Sequence, residues 1–455
     1  MNRKSLFYAL FIGLIYVWTG SVFIAIIYRL YDFCEVNTVT LISEALLYIC
    51  QAAGALASAL LCKKRGKQGS IPMLLAALLL TAILSLVSLL MPLGNGVIVI
   101  SCFSNLGIGF LLGESILSLV SFVPKNSRCI SIGLAYAIGS VGSYLLSLIY
   151  EEGLSAPQMI YFFMGFMIIT VFMCYPLRFF RVPIAMEQAE NLARKTIVLA
   201  CAVPFLSYLV YSMGYYFGTM VYVAGIDISL TRAFYAISLI VAGILNDKNR
   251  KLGGFASFLI LVFPFISLSL QNTNGFAMTL CILSYLALGF LSIYRVALFT
   301  DMASKGTSFL YLAPLGVVMG PLGNAGGTSI GLALDDNQIL LTLLVGGMFM
   351  VTGIVFFLLN QNLYRPKTEL AAVEKTPVVE KSPEEKFFAF RVAYGLNDNQ
   401  TEVFKRIMEG HSNAKISEEM FLAESTIKYH VKNILKATGA TDRKSLLALY
   451  HNFVP

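Results

Sequence analysis

The chain has 455 residues and a formal net charge of +8. Hydrophobic residues make up 57% of it and charged residues only 13%, against about 25% in a typical soluble domain. A soluble protein of this composition would have too little polar surface, so the sequence predicts an integral membrane protein. The eight cysteines follow neither a metal-site spacing nor a disulfide framework, so we assign them to packing and predict no metal and no cofactor.

Apolar runs follow one another as far as residue 360, and each is long enough to cross a hydrocarbon core of about 30 Å as a helix. Together they predict an all-α fold class, a bundle of twelve transmembrane helices in a membrane domain over residues 1–360. The predicted spans are 6–28, 39–62, 71–91, 96–122, 129–150, 158–180, 196–223, 230–246, 253–271, 275–300, 308–332 and 338–360.

The loops between these spans alternate in charge. One side of the membrane receives the basic segments 3–4, 63–67, 125–128, 178–195, 248–251, 305 and 365–367. The other side has only Arg29 and Arg232 as basic residues, together with several acidic ones. Basic loops stay in the cytoplasm, so we expect a multi-pass protein of the bacterial inner membrane with both termini cytoplasmic.

The longest internal loop, 178–195, divides the spans six and six, the layout of two pseudo-symmetric halves. Two motifs accompany this layout: Gly243-Ile-Leu-Asn-Asp247-Lys-Asn-Arg250-Lys251 after span eight, and Gly316-Val-Val-Met-Gly320-Pro321-Leu-Gly323 in span eleven. In these features the chain resembles the major facilitator superfamily. The end of span two, Leu61–Lys67, lacks the acidic residue of the family motif. The alternative is that the basic loops only set the topology.

Ionisable side chains inside the predicted spans are costly, and they usually face a cavity or a partner. Glu114 lies in span four and Arg295 lies at a similar depth in span ten. The resemblance implies that spans one, four, seven and ten line a central cavity, across which these two residues can face each other. Two interpretations stay open: a site for a charged ligand, or a structural ion pair or gate. Glu44 and Asp301 lie nearer the interfaces, and we interpret them as loop anchors.

Four tyrosines lie along one stripe of span seven: Tyr208, Tyr211, Tyr215 and Tyr222. Hydroxyls on rigid rings suit an aromatic or polar small molecule. The alternative, which we favour slightly, is helix packing with an interfacial aromatic girdle.

The composition changes abruptly after Asn360. Residues 361–389 contain Pro366, Pro377 and Pro383 among mixed lysines and glutamates, without a helical or strand period. They predict a flexible cytoplasmic linker.

A helical pattern returns in residues 390–455. We predict four short helices over 398–409, 413–420, 424–437 and 442–451, the first with a capping box from Asn397 and Gln400, the second capped by Ser412 and the fourth by Thr441. The second and third form a helix-turn-helix, a unit that lays its second helix in the major groove of DNA. The candidate DNA-contacting residues are Ser425, Thr426, Lys428, Tyr429, Lys432, Asn433 and Lys436. Taken alone, the lysine row has another interpretation, an ordinary solvated helix face.

The motif that gives this row its meaning is Thr426-Ile-Lys428-Tyr-His430-Val-Lys-Asn-Ile-Leu-Lys436, preceded by Ser412-Asn-Ala-Lys-Ile416 and followed by Asp442-Arg443. It resembles the LuxR-type DNA-binding domain over its full length. The resemblance implies that Thr426, Lys428, Lys432 and Lys436 contact DNA, that the fourth helix supports dimerisation and that His430 packs or bonds to backbone. Ala423 stands where a serine usually caps the third helix.

As a whole the chain resembles LuxR-type regulators fused to a twelve-span facilitator-like domain. The first hypothesis is a membrane-embedded one-component regulator that senses a small molecule; the expected partners are double-stranded operator DNA, the lipid bilayer, an unknown small molecule and a second copy of the chain. The second is a transporter with an appended regulatory domain, and the third is a helix-turn-helix used only for protein contacts. The sequence shows no nucleophile–base pair, metal set or phosphate loop, so we do not expect an enzyme.

Overall fold

The protein is described from a computed structural model, in which the described residues are α-helical apart from short turns, 3-10 segments and one π-helical turn, with no strand among them. The described residues are 3–65, 71–151, 192–214, 228–270, 277–363 and 383–453. The chain divides into two units, Met1–Tyr364 and Arg365–Pro455, each with its own hydrophobic core.

Unit one is a bundle of long apolar helices. In chain order they are α1 (Arg3–Tyr31), α2 (Val36–Arg65), α3 (Ile71–Leu90), α4 (Asn95–Phe122), α5 (Arg128–Glu151), α6 (Arg194–Gly214), α7 (Ile228–Lys248), α8 (Arg250–Leu259), α9 (Val262–Leu270), α10 (Ala277–Ala303), α11 (Leu315–Ala333) and α12 (Gln338–Leu363). Among the described residues, eight helical stretches are long and apolar enough to cross a membrane. The predicted number of twelve spans is not established, because span six lies outside the described residues.

Predicted span nine is not one continuous helix. It is divided into α8 and α9, with a turn at Ile260 and Leu261 between them. The cause is Pro264, which has no backbone N–H and whose ring would collide with the carbonyl of Ile260 in a continuous helix. Hydropathy cannot detect this break, since every residue around it is apolar.

Glycines bring helices of unit one into backbone contact. A Cβ added to Gly54 of α2 would collide with the carbonyl oxygen of Leu106, and one added to Gly109 of α4 would collide with that of Gln51. Helices α5 and α7 approach each other in the same way, at Gly133 against the Leu239 carbonyl oxygen and at Gly243 against that of Cys129. Close packing of small residues replaces the hydrophobic effect as the force that joins helices in lipid.

The face of α12 that turns away from the bundle is apolar and exposed. Ile339 is 78% exposed and Leu343 is 69% exposed, and Met350, Ile354 and Phe357 continue the surface. A soluble protein rarely exposes a contiguous apolar surface of this kind, whereas lipid covers it without cost.

Unit two contains five helices, one more than the sequence pattern predicts. They are α13 (Pro383–Ala393), α14 (Asp398–Met408), α15 (Asn413–Glu419), α16 (Glu424–Thr438) and α17 (Arg443–Asn452). The predicted linker 361–389 therefore ends too late, since α13 begins at Pro383. Proline is favoured at the first helical position, where its missing N–H costs nothing. The composition alone indicates Pro383 only as a linker residue.

The additional helix α13 belongs to the core of unit two. Phe390 is fully buried and stacks on Phe404 with ring centroids 5.1 Å apart, and Phe387 also stacks on Phe404, at 5.8 Å. The ring of Tyr450 in α17 meets Phe390 edge-on at 5.2 Å. These rings tie α13, α14 and α17 together.

The caps of unit two follow the sequence pattern with one exception. The capping box of Asn397 and Gln400 is present, and Ser412 accepts a hydrogen bond from the Lys415 N–H. The N-cap of α17 is Asp442 rather than the predicted Thr441. Asp442 forms a reciprocal capping box with Ser445, because its carboxylate reaches the third N–H of the helix.

Candidate nucleic-acid interface and membrane core

The helix-turn-helix consists of α15 and α16, which bury their apolar sides against the rest of unit two. Ile416 of α15 and the Ile427 and Ile434 side chains of α16 are fully buried. The turn between the helices passes through Phe421, whose φ of 53° is left-handed and whose side chain is 95% exposed. The burial of one side fixes which side of α16 faces solvent.

That solvent side carries the predicted lysine row. Lys428, Lys432 and Lys436 are all exposed, and Tyr429 beside them is 62% exposed. Lys428 Nζ lies 2.9 Å from the carboxylate of Glu424, with both side chains largely in solvent. An exposed pair of this kind contributes little stability, so a phosphate can replace the carboxylate at small cost.

The other predicted contact residues lie on the same helix at different depths. Ser425 is exposed in the first turn, whereas Thr426 and Asn433 are half-buried. Ala423 provides no side-chain cap for α16, because alanine has no side-chain hydrogen-bond acceptor. His430 is half-buried beside the Tyr429 ring, and its Nδ1 has no hydrogen-bond partner among the described residues. The packing role predicted for His430 fits this position.

Arg443, for which the helical pattern predicts no role, connects α17 to the start of α15. Its guanidinium donates to the backbone oxygen of His411 at 2.7 Å and to the side-chain oxygen of Asn413. Burial lowers the pKa of Arg443. Arg443 thereby fixes the beginning of the helix-turn-helix; the family motif pointed to it, but the helical period did not.

A second network joins α14 to α15. Arg406 of α14 pairs with Glu402 on its own helix and, at 3.1 Å, with Glu419 at the end of α15. Hydrogen bonding to Glu402 raises the pKa of Arg406. The first helix of the helix-turn-helix is thus held at its start by Arg443 and at its end by Arg406.

In the membrane unit, the two predicted ionisable residues have different partners. Glu114 of α4 is 3% exposed and accepts a hydrogen bond of 2.9 Å from Ser58 of α2. Arg295 of α10 places its guanidinium carbon 4.9 Å from the centre of the Tyr208 ring in α6. No ion pair joins Glu114 to Arg295 in the described part of the chain, so their predicted juxtaposition across a cavity stays a prediction.

The described part of the tyrosine stripe of α6 packs in one apolar cluster. Tyr208 and Tyr211 are both buried in it, together with Leu261 and Leu291. The Tyr208 hydroxyl in addition lies 2.9 Å from Ser292 Oγ, one turn before Arg295 on α10. Tyr215, like Tyr222, lies outside the described residues. Both described tyrosines therefore support the packing interpretation, and Tyr208 also has a polar contact.

Glu44 has a role that the sequence analysis missed. We interpreted it as a loop anchor, but Asn324 of α11 donates to its carboxylate at 2.9 Å, and Ser212 of α6 donates to Asn324 in turn. Glu44 lies in a π-helical turn of α2, Leu41–Leu46, a feature often found at functional sites. The bond joins residues 280 positions apart, beyond the reach of any local pattern.

At the predicted cytoplasmic ends of the helices, the motif that begins at Gly243 connects α7 and α8 to α5 and α10. Asp247 accepts hydrogen bonds from the backbone N–H groups of Cys129 and Ile130, near the start of α5, at 3.1 and 2.8 Å. Arg250 pairs with Asp247 at 3.0 Å and with Asp301 of α10 at 2.7 Å. Asp301 is therefore an anchor, as predicted.

Comparison with known proteins assigns a family to the helix-turn-helix domain of unit two and a fold to unit one. The family described as bacterial regulatory proteins, luxR family, matches residues 395–449. The crystal structure of the human organic anion transporter MFSD10 (TETRAN) is similar over 79% of this chain and 100% of that chain, with a TM-score of 0.58 and 13% sequence identity. No curated protein matches the chain. The chain therefore combines a LuxR-type helix-turn-helix domain with a membrane domain of major-facilitator-like fold, as the motifs predict.

Proposed function

We propose that this protein is a membrane-embedded one-component transcriptional regulator, which senses a small molecule in unit one and binds operator DNA through α16. The observation that carries the proposal is the exposed row of Lys428, Lys432 and Lys436 on the second helix of a LuxR-type helix-turn-helix. Lysines on such a row neutralise phosphates, while the neighbouring polar side chains reach base edges.

The chain divides into two units, and DNA binding belongs to the second. We therefore assign ligand binding to the first, which contains polar side chains at the centre of an apolar bundle. A ligand that binds one of two arrangements of this unit more tightly shifts their populations. Residues 364–382 of the predicted linker lie outside the described residues. A linker of the predicted flexible kind transmits little torque, so we assign the change in DNA binding to pairing of two copies, since LuxR-type operators are usually two half-sites.

The basic segments at one end of the bundle support an inner-membrane location with both termini in the cytoplasm. In this arrangement unit two has direct access to DNA. The proposal contains no catalytic step.

A second candidate function is transport, which the major-facilitator-like fold favours. The two functions differ in an observable way. A transporter moves its ligand across the bilayer of a sealed vesicle, whereas a sensor only has to bind it. Flux into proteoliposomes that is lost in an Arg295→Gln variant would support transport.

The experiment that tests the proposed function is genome-wide DNA occupancy of the intact protein in its membrane. The test variant is Lys428→Ala/Lys432→Ala, and the matched control is Lys405→Ala, which removes an exposed charge from α14. We expect discrete peaks in the wild type and the control, and their loss in the test variant. In vitro, two lost phosphate contacts flatten the salt dependence of log K by about 2. Equal occupancy in all three proteins would refute DNA binding by α16.

A further inference from the structure

The membrane unit contains a cation whose charge lacks a counter-charge among the described residues. Arg295 lies inside the bundle, in the C-terminal part of α10 (Ala277–Ala303), and a charge inside an apolar span is costly unless it is paired. Its guanidinium carbon lies 4.9 Å from the centre of the Tyr208 ring, a cation–π interaction that is attractive but does not neutralise the charge. Within the described residues, its Nε has no hydrogen-bond partner and its guanidinium forms no ion pair.

The acids in the polar interior are engaged elsewhere. Glu44 is held by Asn324, and Glu114 is held by Ser58. The groups that interact electrostatically with Arg295 include the hydroxyls of Tyr136 and Tyr235, which offer dipoles rather than full negative charges. A negative charge brought by a ligand would complete this arrangement.

The surroundings of Arg295 hold its guanidinium in place. Its side chain is only half-buried, although it lies inside the bundle. A Cβ added to Gly320 of α11 would collide with the guanidinium, so this glycine provides the space that the group occupies. The Tyr208 hydroxyl is 2.9 Å from Ser292, which fixes the ring against which the guanidinium stacks. Such preorganisation reduces the entropy lost on binding.

We propose that Arg295 binds the carboxylate of a small aromatic anion between α6, α10 and α11. The planar guanidinium presents two parallel N–H donors, which match the two oxygens of a carboxylate. The tyrosine rings beside it suit an aromatic body. The proposal deepens the proposed function and rests on it, because it names the class of small molecule that unit one senses.

The test is binding of radiolabelled benzoate to the full-length protein in lipid nanodiscs, with uncharged benzamide as competitor. The Arg295→Gln variant removes the charge, and Lys63→Gln is the matched control, since it removes an exposed cation from the end of α2. We expect saturable benzoate binding in the wild type and the control, and binding about ten- to a hundredfold weaker in Arg295→Gln. Benzamide should compete at least tenfold less well than unlabelled benzoate.

Two further variants separate a binding role from a structural one. Arg295→Lys keeps the charge but loses the planar pair of donors, so benzoate binding should fall between wild type and Arg295→Gln. Gly320→Ala pushes on the guanidinium from α11 and should weaken benzoate binding without removing any charge. The thermal unfolding of each ligand-free variant shows whether it is folded.

Three results would overturn the proposal: no saturable benzoate binding in the wild type, equal competition by benzamide, or unchanged binding in folded Arg295→Gln. Its failure is distinct from that of the proposed function, because binding is measured without DNA. Saturable binding that leaves DNA occupancy unchanged would establish the site and refute sensing.

Discussion

Replacing Phe390 with alanine should remove a large part of the folding stability of the DNA-binding unit. Phe390 is fully buried, and its ring contacts Phe404, Tyr450 and Phe453 with centroids 5.1 to 5.2 Å apart. Truncating a buried phenylalanine to alanine costs about 3–5 kcal/mol, including the cavity left behind. A domain of about 70 residues has a total stability of roughly 4–10 kcal/mol. The substitution therefore removes a large part of the stability.

The assay is urea unfolding of the fragment 383–455, followed by circular dichroism at 222 nm. The matched control is Phe388→Ala on the same helix, where the side chain is 62% exposed and should contribute less than about 0.5 kcal/mol. A similar loss in both variants, or no loss in Phe390→Ala, would refute the placement of α13 in the core. A fragment that begins after Ala393 should fold no better than Phe390→Ala.

Three further substitutions test single features. Hydrogen bonds from Ser445 lower the pKa of Asp442, so the stabilisation by its carboxylate is present above the ordinary aspartate pKa and is lost as the pH falls through the lowered value. Asp442→Asn keeps a capping oxygen but does not titrate, so the urea midpoint should depend less on pH between pH 5 and 2. A pH dependence equal to that of the wild type would contradict this. Phe421→Gly should leave stability unchanged or higher, because glycine adopts a φ of 53° without strain, and a clear loss in urea titration would show that the phenyl ring packs. Asn324→Ala should leave benzoate affinity within about threefold of wild type but abolish the change in DNA binding that benzoate causes, since it breaks the hydrogen bond to Glu44. A retained change in DNA binding would refute coupling through this hydrogen bond.

The features of unit two that the sequence predicts are local ones. The capping box of Asn397 and Gln400 lies within one helical turn, and the stripe of Ile427, Val431 and Ile434 follows from the helical period alone. The exposed lysine row is then fixed, because it lies on the opposite side of α16. These predictions required no knowledge of which helices touch.

The polar interior of unit one required that knowledge. Glu44 bonds to Asn324 across 280 residues, and Tyr208 meets Arg295 only because α6 and α10 pack together. Hydropathy recognised Arg295 and Glu114 as unusual, but it does not determine their partners. Helix α13 was missed for another reason: its stability comes from Phe387 and Phe390 packing on other helices, whereas Pro383 and the flanking charges favour a linker interpretation.

If an anion binds at Arg295 as proposed, its effect would reach the other half of the membrane unit through α11. The guanidinium touches α11 at Gly320, and Asn324 lies one turn further along the same helix, where it bonds to Glu44 of α2. A carboxylate that draws the guanidinium away from Gly320 changes the space available to α11, and α11 is the helix tied to α2. Tightly packed helices have discrete rather than continuous arrangements, so on this proposal a displacement at Gly320 would shift the balance between two arrangements of α2 and α11. To reverse a 1:99 population, the anion has to bind the favoured arrangement about 10⁴-fold more tightly, or about 5.5 kcal/mol. One charge-assisted carboxylate contact supplies about 1.5–3 kcal/mol of this difference, so the contact with Arg295 alone is insufficient, and the aromatic body of the ligand has to contribute the remainder against the tyrosine rings.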